Sequence, residues 1–537
     1  MFKKNKYTSL LILLTATVFM FGCKKFLDRE PLTATLPDLK QGALESQSFN
    51  MYRLMRTYAG LTELVWLDFH SIRGDDAQKG SDAGDGAEVV GMYDQYQYSK
   101  SGWAPDTYWN DHFTLINAAN TSLHLAREGN LTDDASLRNI GEASFFLAYS
   151  YFELVKTYGE VPIINFFVQK PSDAVRPKST VDQVYAFIDS NLAVAEQLLP
   201  VTFEEYGSGF QGRLTKGAAY TLSAQTFLFR QKWDSVIDRC DKVIALGKYS
   251  LPKFTEVWKD GVGGVGKNGP ESIFEMQSTV GSNGANVSAN DQGSNWGVSQ
   301  NIRRNGAPVF WNFGWGWNTP TDKLESEWPD DDPRKKATIL YSGEYDGGPE
   351  EGGYGLTLPA YTNPNGTGGF AQKFWNKKVY ADPEMRTFTG FIDGGAGRWI
   401  NRRIFRYADV ILMKAEASNE KGDGATAALM LEMIRNRASG NLGTGRSIVP
   451  PIAFLNQVQM RTAIKNERRW EFAMEGYRFF DLVRWTPSSD GIDALTVLGP
   501  LGYESRCKYH PIPQAAIDLA GKDGSGDDIL KQNPDWK

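Results

Sequence analysis

Three cysteines and four histidines in 537 residues leave little for thiol or metal chemistry. Cys240 and Cys507 lie far apart in sequence, neither belongs to a CxxC pair, and buried free thiols are favoured over a disulfide. His70, His112, His124 and His510 are scattered without metal-ligand spacing, so each reads as a packing or surface residue. GxSxG elbows and HExxH helices are missing, which argues against the common hydrolase classes. There is no surplus of positive charge: the formal net charge is −6, which disfavours phosphate polymers as partners. Long apolar runs are missing too. The first one, Leu10 to Phe21, falls well short of the roughly 20 residues a membrane-crossing helix needs.

What that short run offers instead is an export signal. Lys3, Lys4 and Lys6 precede it, and Gly22 and Cys23 follow, as at a lipoprotein cleavage site where the thiol takes a lipid and becomes the new N-terminus. The expected organisation is a signal over 1–22 and a lipid anchor on Cys23, with ordinary secretion as the alternative. Lys24 and Lys25 leave open which side of the membrane the body faces.

The body then falls into three stretches. Over 23–258 apolar residues recur at helical spacing in 49–58, 109–125, 143–158, 181–199, 215–229 and 233–246, with Thr180 as a start signal and Gly247 as a stop. The last two form a tight pair broken at Gln231 and Lys232, and a second pair is expected over 403–420 and 425–438. Each pair occupies somewhat over 30 residues, near the length of a tetratricopeptide repeat. The fold class is therefore mainly α: stacked helix pairs as a scaffold, with long loop-rich insertions and minor β. Over 259–400 periodicity fades into Gly, Asn, Asp, Ser and Pro, and such loops on a rigid frame commonly carry binding. The third stretch, 401–537, is helical again.

Within that third stretch, NERRWEFAMEGYRFFDLVRW (Asn466 to Trp485) puts Glu467, Glu471 and Glu475 at i, i+4 positions of one expected helix. Arg468, Arg469, Arg478, Asp481 and Arg484 lie beside or after them. Like charges on one stripe repel unless cations answer them, and Arg402, Arg403 and Arg406 of NRRIFRY are the expected answer. The segment reads as a structural clamp. Paired carboxylates could also serve a glycosidase. So many arginines would keep every carboxylate ionised, however, whereas a general acid needs a raised pKa.

ERRWEFAMEGYRFFDLVRW resembles the C-terminal signature of SusD/RagB-type outer-membrane nutrient-binding lipoproteins, as does YHPIPQAAIDLA followed by LKQNPDW (Tyr509 to Trp536). RYADVILMKAEASNE (Arg406 to Glu420) and CKKFLDREP (Cys23 to Pro31) extend the resemblance over nearly the whole chain. It implies tetratricopeptide-like helix pairs, no catalysis, no cofactor, and a SusC-like TonB-dependent outer-membrane barrel as partner. RagB-type members take peptides, so peptide is the rival ligand to oligosaccharide; a secreted glycoside hydrolase is the alternative from another class, with Asp330 to Asp332 its densest acids. In that DDDPR run a turn is the better reading.

The residues themselves point to sugars. NWGVSQNIRRNGAPVFWNFGWGWN crowds Trp296, Phe310, Trp311, Phe313, Trp315 and Trp317 among Gly and Asn, and exposed indoles beside polar groups stack on sugar faces. Trp296, Trp311, Trp315 and Trp317 are the candidate ligand contacts, with Tyr96, Tyr98 and Asp75 from a second group that also holds Trp66 and Tyr93. The alternative is that these rings pack loops on the scaffold, and for Trp315 and Trp317 the resemblance favours a helix start there. Two look-alikes are set aside. GVGGVGK (Gly261 to Lys267) nearly fits a phosphate loop, but Asn268 replaces the needed hydroxyl. Gly264, Gly266 and Gly269 fit GxGxxG without a preceding strand, and Pro270 follows where a helix should open. Asp75, Asp76, Asp82 and Asp85 lack EF-hand spacing and read as a solvated loop.

Overall fold

A computed structural model describes residues 44–56, 61, 63–87, 90–260, 266–279, 293–304, 306–363, 369–385, 397–440 and 448–536. The expected signal, Cys23 and residues 261–265 of the glycine run lie outside the described residues. Among those described, no helix is long and apolar enough to cross a membrane.

The frame is helical, as the periodicity predicts. After α1 (Glu45–Leu54) and α2 (Leu64–His70) come α3 (Trp103–Glu128), α4 (Asp134–Tyr158), α5 (Val181–Leu198), α6 (Lys216–Phe229) and α7 (Trp233–Ala245). The C-terminal part adds α8 (Tyr407–Glu420), α9 (Gly424–Ala438), α10 (Gln457–Phe472) and α11 (Arg478–Arg484). From α3 to α9 each of these helices packs on the one before it, and α10 closes on α8 and α9. This is a tetratricopeptide-like stack, in which each helix pair buries its apolar face against the next.

Local signals set the ends. Thr180 and Gln183 form a capping box at the start of α5, Asp133 caps α4 through Ser136 N–H, and Gly247 follows α7 at φ +62°. Both α3, which opens with Pro105 in its first turn, and α4, with its polar first turns, begin ahead of the apolar periodicity that marks them in sequence. A further departure is at 402–406. Arg402–Arg406 is a strand and not the first turn of α8, because it pairs antiparallel with Ser272–Met276.

Among the described residues, six short strands form three two-stranded sheets: β1 (Ala77–Gly80) with β3 (Trp317–Pro320), β2 (Ser272–Met276) with β6 (Arg402–Arg406), and β4 (Ile339–Tyr341) with β5 (Phe374–Asn376). A two-stranded ribbon is marginal by itself, so each must be fastened to the frame. One apolar core, running from Met51 to Trp536, collects side chains from all three stretches of sequence. The C-terminal strap is pinned to it where Asn533 Nδ2 donates to the carbonyls of Tyr158 and His510 at 3.0 Å. Cys240 and Cys507 are buried free thiols.

Candidate functional site

The signature segment supplies the fastening. Glu467 takes Arg334 at 2.7 Å and Arg435 at 2.6 Å. Glu471 faces three guanidiniums, Arg334 at 3.1 Å, Arg406 at 2.5 Å and Arg437. Glu475 takes Arg406 at 2.8 Å and Lys378 at 2.6 Å. It does so from a turn, since α10 ends at Phe472 and Met474 and Gly476 both have positive φ. Burial would raise the Glu471 pKa, but Arg437, Arg406 and Arg334 hold it far below the usual carboxylate range. Of the three arginines expected to answer the stripe, only Arg406 does. Arg403 pairs with Asp260, and the Arg402 guanidinium lies 3.6 Å from the Trp66 ring centroid. Arg468 bridges Asp409 at 2.9 Å and Asp481 at 3.0 Å. Arg484 holds Glu416 at 2.5 Å and Asp481 at 2.8 Å.

These bonds attach the strands that form a surface cleft. Arg334 lies in the short helix Pro333–Thr338, capped by Asp332 of the DDDPR run, and that helix runs directly into β4. Arg478 Nε donates to Asp75 at 2.7 Å, and Arg469 pairs with Asp76 at 2.7 Å and Glu327 at 2.6 Å, fixing the entry to β1. Asp75 is therefore a buried clamp residue and not a ligand contact. Burial opposes its ionisation, yet Arg478 and Arg469 keep its carboxyl below the ordinary range.

The cleft holds about 380 Å³ and is lined by Gln78, Lys79, Gly80 and Asp82 on one side and by Tyr361, Gln372, Lys373 and Phe374 on the other, with Asp94 and Asp322 at its ends. Its first wall depends on a close backbone crossing. Ser81 N–H donates to Gly316 C=O at 2.6 Å, and a Cβ on Gly80 (φ +76°) would sit 2.5 Å from that same oxygen. The GWGW repeat has a related cause. Residues 313–316 hydrogen-bond to the carbonyls of Val298, Asn301 and Ile302, and a Cβ on Gly314 would meet Val298 O at 2.1 Å. Glycine is thus required where this stretch faces inward, and the intervening indoles of Trp315 and Trp317 are left half-exposed. Trp317 opens β3, not a helix.

Charge and rings meet at this edge. Trp317 Nε1 donates to Asp85 at 3.0 Å, and Trp315 stands edge-on to Trp317 with centroids 6.0 Å apart. Arg303 pairs with Asp85 and with Asp82, the latter at 3.1 Å. Burial opposes ionisation of Asp85, but hydrogen bonds from Ser81 and Trp317 and the Arg303 charge hold its pKa below normal. Burial pushes Asp94 up to about 7, although Lys79 N–H donates to it at 2.8 Å. One further ring lines the cleft, Tyr361, 36% exposed; Phe310, 44% exposed, packs on Trp311.

The other ring candidates are used in packing. Trp296 is 7% exposed and stands against Trp66 at 5.9 Å. Trp311, also 7% exposed, lies beneath Phe310 and against Phe370. Tyr96 donates its hydroxyl to Arg73 C=O at 2.6 Å, and Tyr98 stacks on His510 at 5.0 Å. These four and Asp75 have no free face for a ligand, because tertiary contacts cover them. Tyr361, Gln78, Lys79, Gln372 and Arg303 were missed because single polar residues and one tyrosine in loops carry no pattern; tertiary contacts such as the Gln78–Gln372 and Gln372–Ser81 hydrogen bonds bring the cleft walls together. Arginines take the calcium candidates Asp75, Asp76, Asp82 and Asp85. Among the described residues no cluster of three His, Cys, Asp or Glu side chains could hold a metal ion.

Comparison with known proteins covers most of the chain. The model described as the SusD family matches residues 270–536, and one described as starch-binding, associating with the outer membrane, matches 36–228. SusD-like protein P38 of Formosa agariphila is 25% identical over 406 residues, 73% of each chain. Surface glycan-binding protein A from Bacteroides fluxus superposes with a TM-score of 0.70 at 25% identity, covering 92% of this chain and 99% of that one. The Bacteroides thetaiotaomicron protein of the same name, in complex with laminarihexaose, gives a TM-score of 0.68 at 19% identity over 91% and 98%. Helix stack, signature segment and both family models agree: the chain belongs to the SusD family.

Proposed function

We propose that this protein is a non-catalytic glycan-binding subunit, lipid-anchored at the outer membrane through Cys23, that captures oligosaccharides and delivers them to a SusC-like TonB-dependent barrel. The observation that carries the reading is the cleft: a polar trough with Tyr361 in its wall, beside which stand the half-exposed rings of Trp317, paired through its strand with Gly80, and of Trp315. Rings of this kind stack on sugar faces while side-chain amides bond the hydroxyls. The relative from Bacteroides fluxus is named for surface glycan binding, and a structural neighbour holds laminarihexaose. Both support the reading by likeness.

Magnitudes suit capture and release. Three stacked rings at about 0.5–1.5 kcal/mol each reach at most ~4.5 kcal/mol, near millimolar before hydrogen bonds are added. Micromolar-to-millimolar affinity is expected in calorimetry across a broad glycan panel, and Trp315→Ala should weaken it roughly 2- to 12-fold. Failure to bind any glycan, with binding of peptides instead, would transfer the site to the RagB-type reading. Asp94, with its raised pKa, is a cleft acid suited to proton donation. Glycan hydrolysis by the purified protein, abolished in Asp94→Asn, would overturn the non-catalytic reading.

A further inference from the structure

Resting on the glycan-binding reading, we infer that the cleft selects uncharged oligosaccharides and rejects glycans that carry uronate or sulfate. Recognition of an anionic sugar needs a cation free to turn toward it, commonly an arginine fork or a lysine with uncommitted protons. The cations here are all engaged. Arg303, at the cleft edge, spends its guanidinium on Asp82, on Asp85 and on Ser81 Oγ at 2.7 Å. Lys79 donates to three carbonyls, those of Gly80 at 3.0 Å and of Asp82 and Asp85 at 2.7 Å, which uses every ammonium proton. Lys373 lies 3.0 Å from both carboxylate oxygens of Asp322.

Counting the described residues at the cleft and its edge, these three cations face four acids: Asp82, Asp85, Asp94 and Asp322. A carboxylate or sulfate entering would lose its hydration, meet a negative surface and find each cation already facing an acid or a carbonyl. A neutral sugar has no such difficulty, because its hydroxyls can donate to the carboxylates and accept from the one Gln372 amide hydrogen that Ser81 C=O does not take. The selectivity comes from carboxylates that occupy the cations in advance, so it acts against one class of ligand.

The test compares size-matched probes on the purified full chain by calorimetry at low and moderate salt. The neutral arm uses laminarihexaose, cellohexaose and maltohexaose; the anionic arm uses hexagalacturonate and a sulfated galactan hexaose. Binding of a neutral probe, unchanged between the two salt concentrations, with the anionic probes at least about tenfold weaker, is expected. An anionic probe that binds as tightly as any neutral one, and loses affinity as salt rises, overturns this inference while leaving the glycan-binding reading intact. No binding in either arm removes both. A second variant reads the device directly: Asp322→Asn breaks a solvent-facing pair without touching the core and frees Lys373. It should raise the ratio of hexagalacturonate affinity to neutral-probe affinity several-fold. An unaltered preference in that variant would refute occupation of the cations as the cause.

Discussion

Replacing Glu471 with glutamine leaves the shape of the buried hub and removes its central negative charge. Arg334, Arg406 and Arg437 all converge on this carboxylate, and all four groups are buried. Each guanidinium keeps another acid, Asp332, Glu475 or Glu271 respectively, so the hub weakens without losing every partner. Removing one member of a buried ion pair costs about 3–5 kcal/mol, chiefly because the remaining charge stays buried. At about 2.1 cal/mol/K of unfolding entropy per residue, a cooperative unit of roughly 500 residues has about 1 kcal/mol/K. The expected fall in Tm is therefore about 3–5 °C, measurable by calorimetry or circular dichroism. Adding Arg437→Met to the same chain removes one of the cations left in excess, while Glu271 keeps Arg406, and should recover part of the loss. A Tm within about 1 °C of wild type for Glu471→Gln, or a double variant that loses the sum of both single effects, would refute the clamp as an interdependent network.

The buried histidines give a pH signature. Burial lowers His70, His112 and His510 to about 3, so their stabilising effect is present above the unfolded value near 6.5 and is lost as pH falls toward 3. At pH 5 this amounts to about 2 kcal/mol per histidine, and His112→Leu, which removes a ring with both nitrogens unpartnered, should flatten the fall in Tm between pH 7 and 5. Cys240 and Cys507 are buried, with thiol pKa raised by burial. A chain lacking residues 1–23 should show no fast reaction with a thiol reagent when native and two equivalents when unfolded; none on unfolding would point to a Cys240–Cys507 disulfide.

The three arginine hubs explain why the signature segment and the recognition loops belong together. Arg334 precedes β4, Asp75 and Asp76 precede β1, and Arg406 ends β6, so each two-stranded ribbon is bolted to the C-terminal helices through a charge pair. Isolated ribbons of this length would not hold the cleft walls by themselves.

The helical frame was legible in the sequence because helix packing is a local matter: apolar residues at 3.6-residue spacing, Thr180 and Gly247 mark α5 and α7 whatever lies nearby. The acidic stripe also announced its need for cations, since like charges four residues apart require an answer from somewhere. Which cations answered, and which aromatics remained exposed, were decided by tertiary structure. Trp311 and Trp315 stand four residues apart in the same composition, yet one is buried under Phe310 and the other left half-open by how residues 313–316 lie along 298–302. Exposure depends on partners distant in the chain, and no local pattern encodes them; the cleft forms only where β1 meets the segment leading into β5.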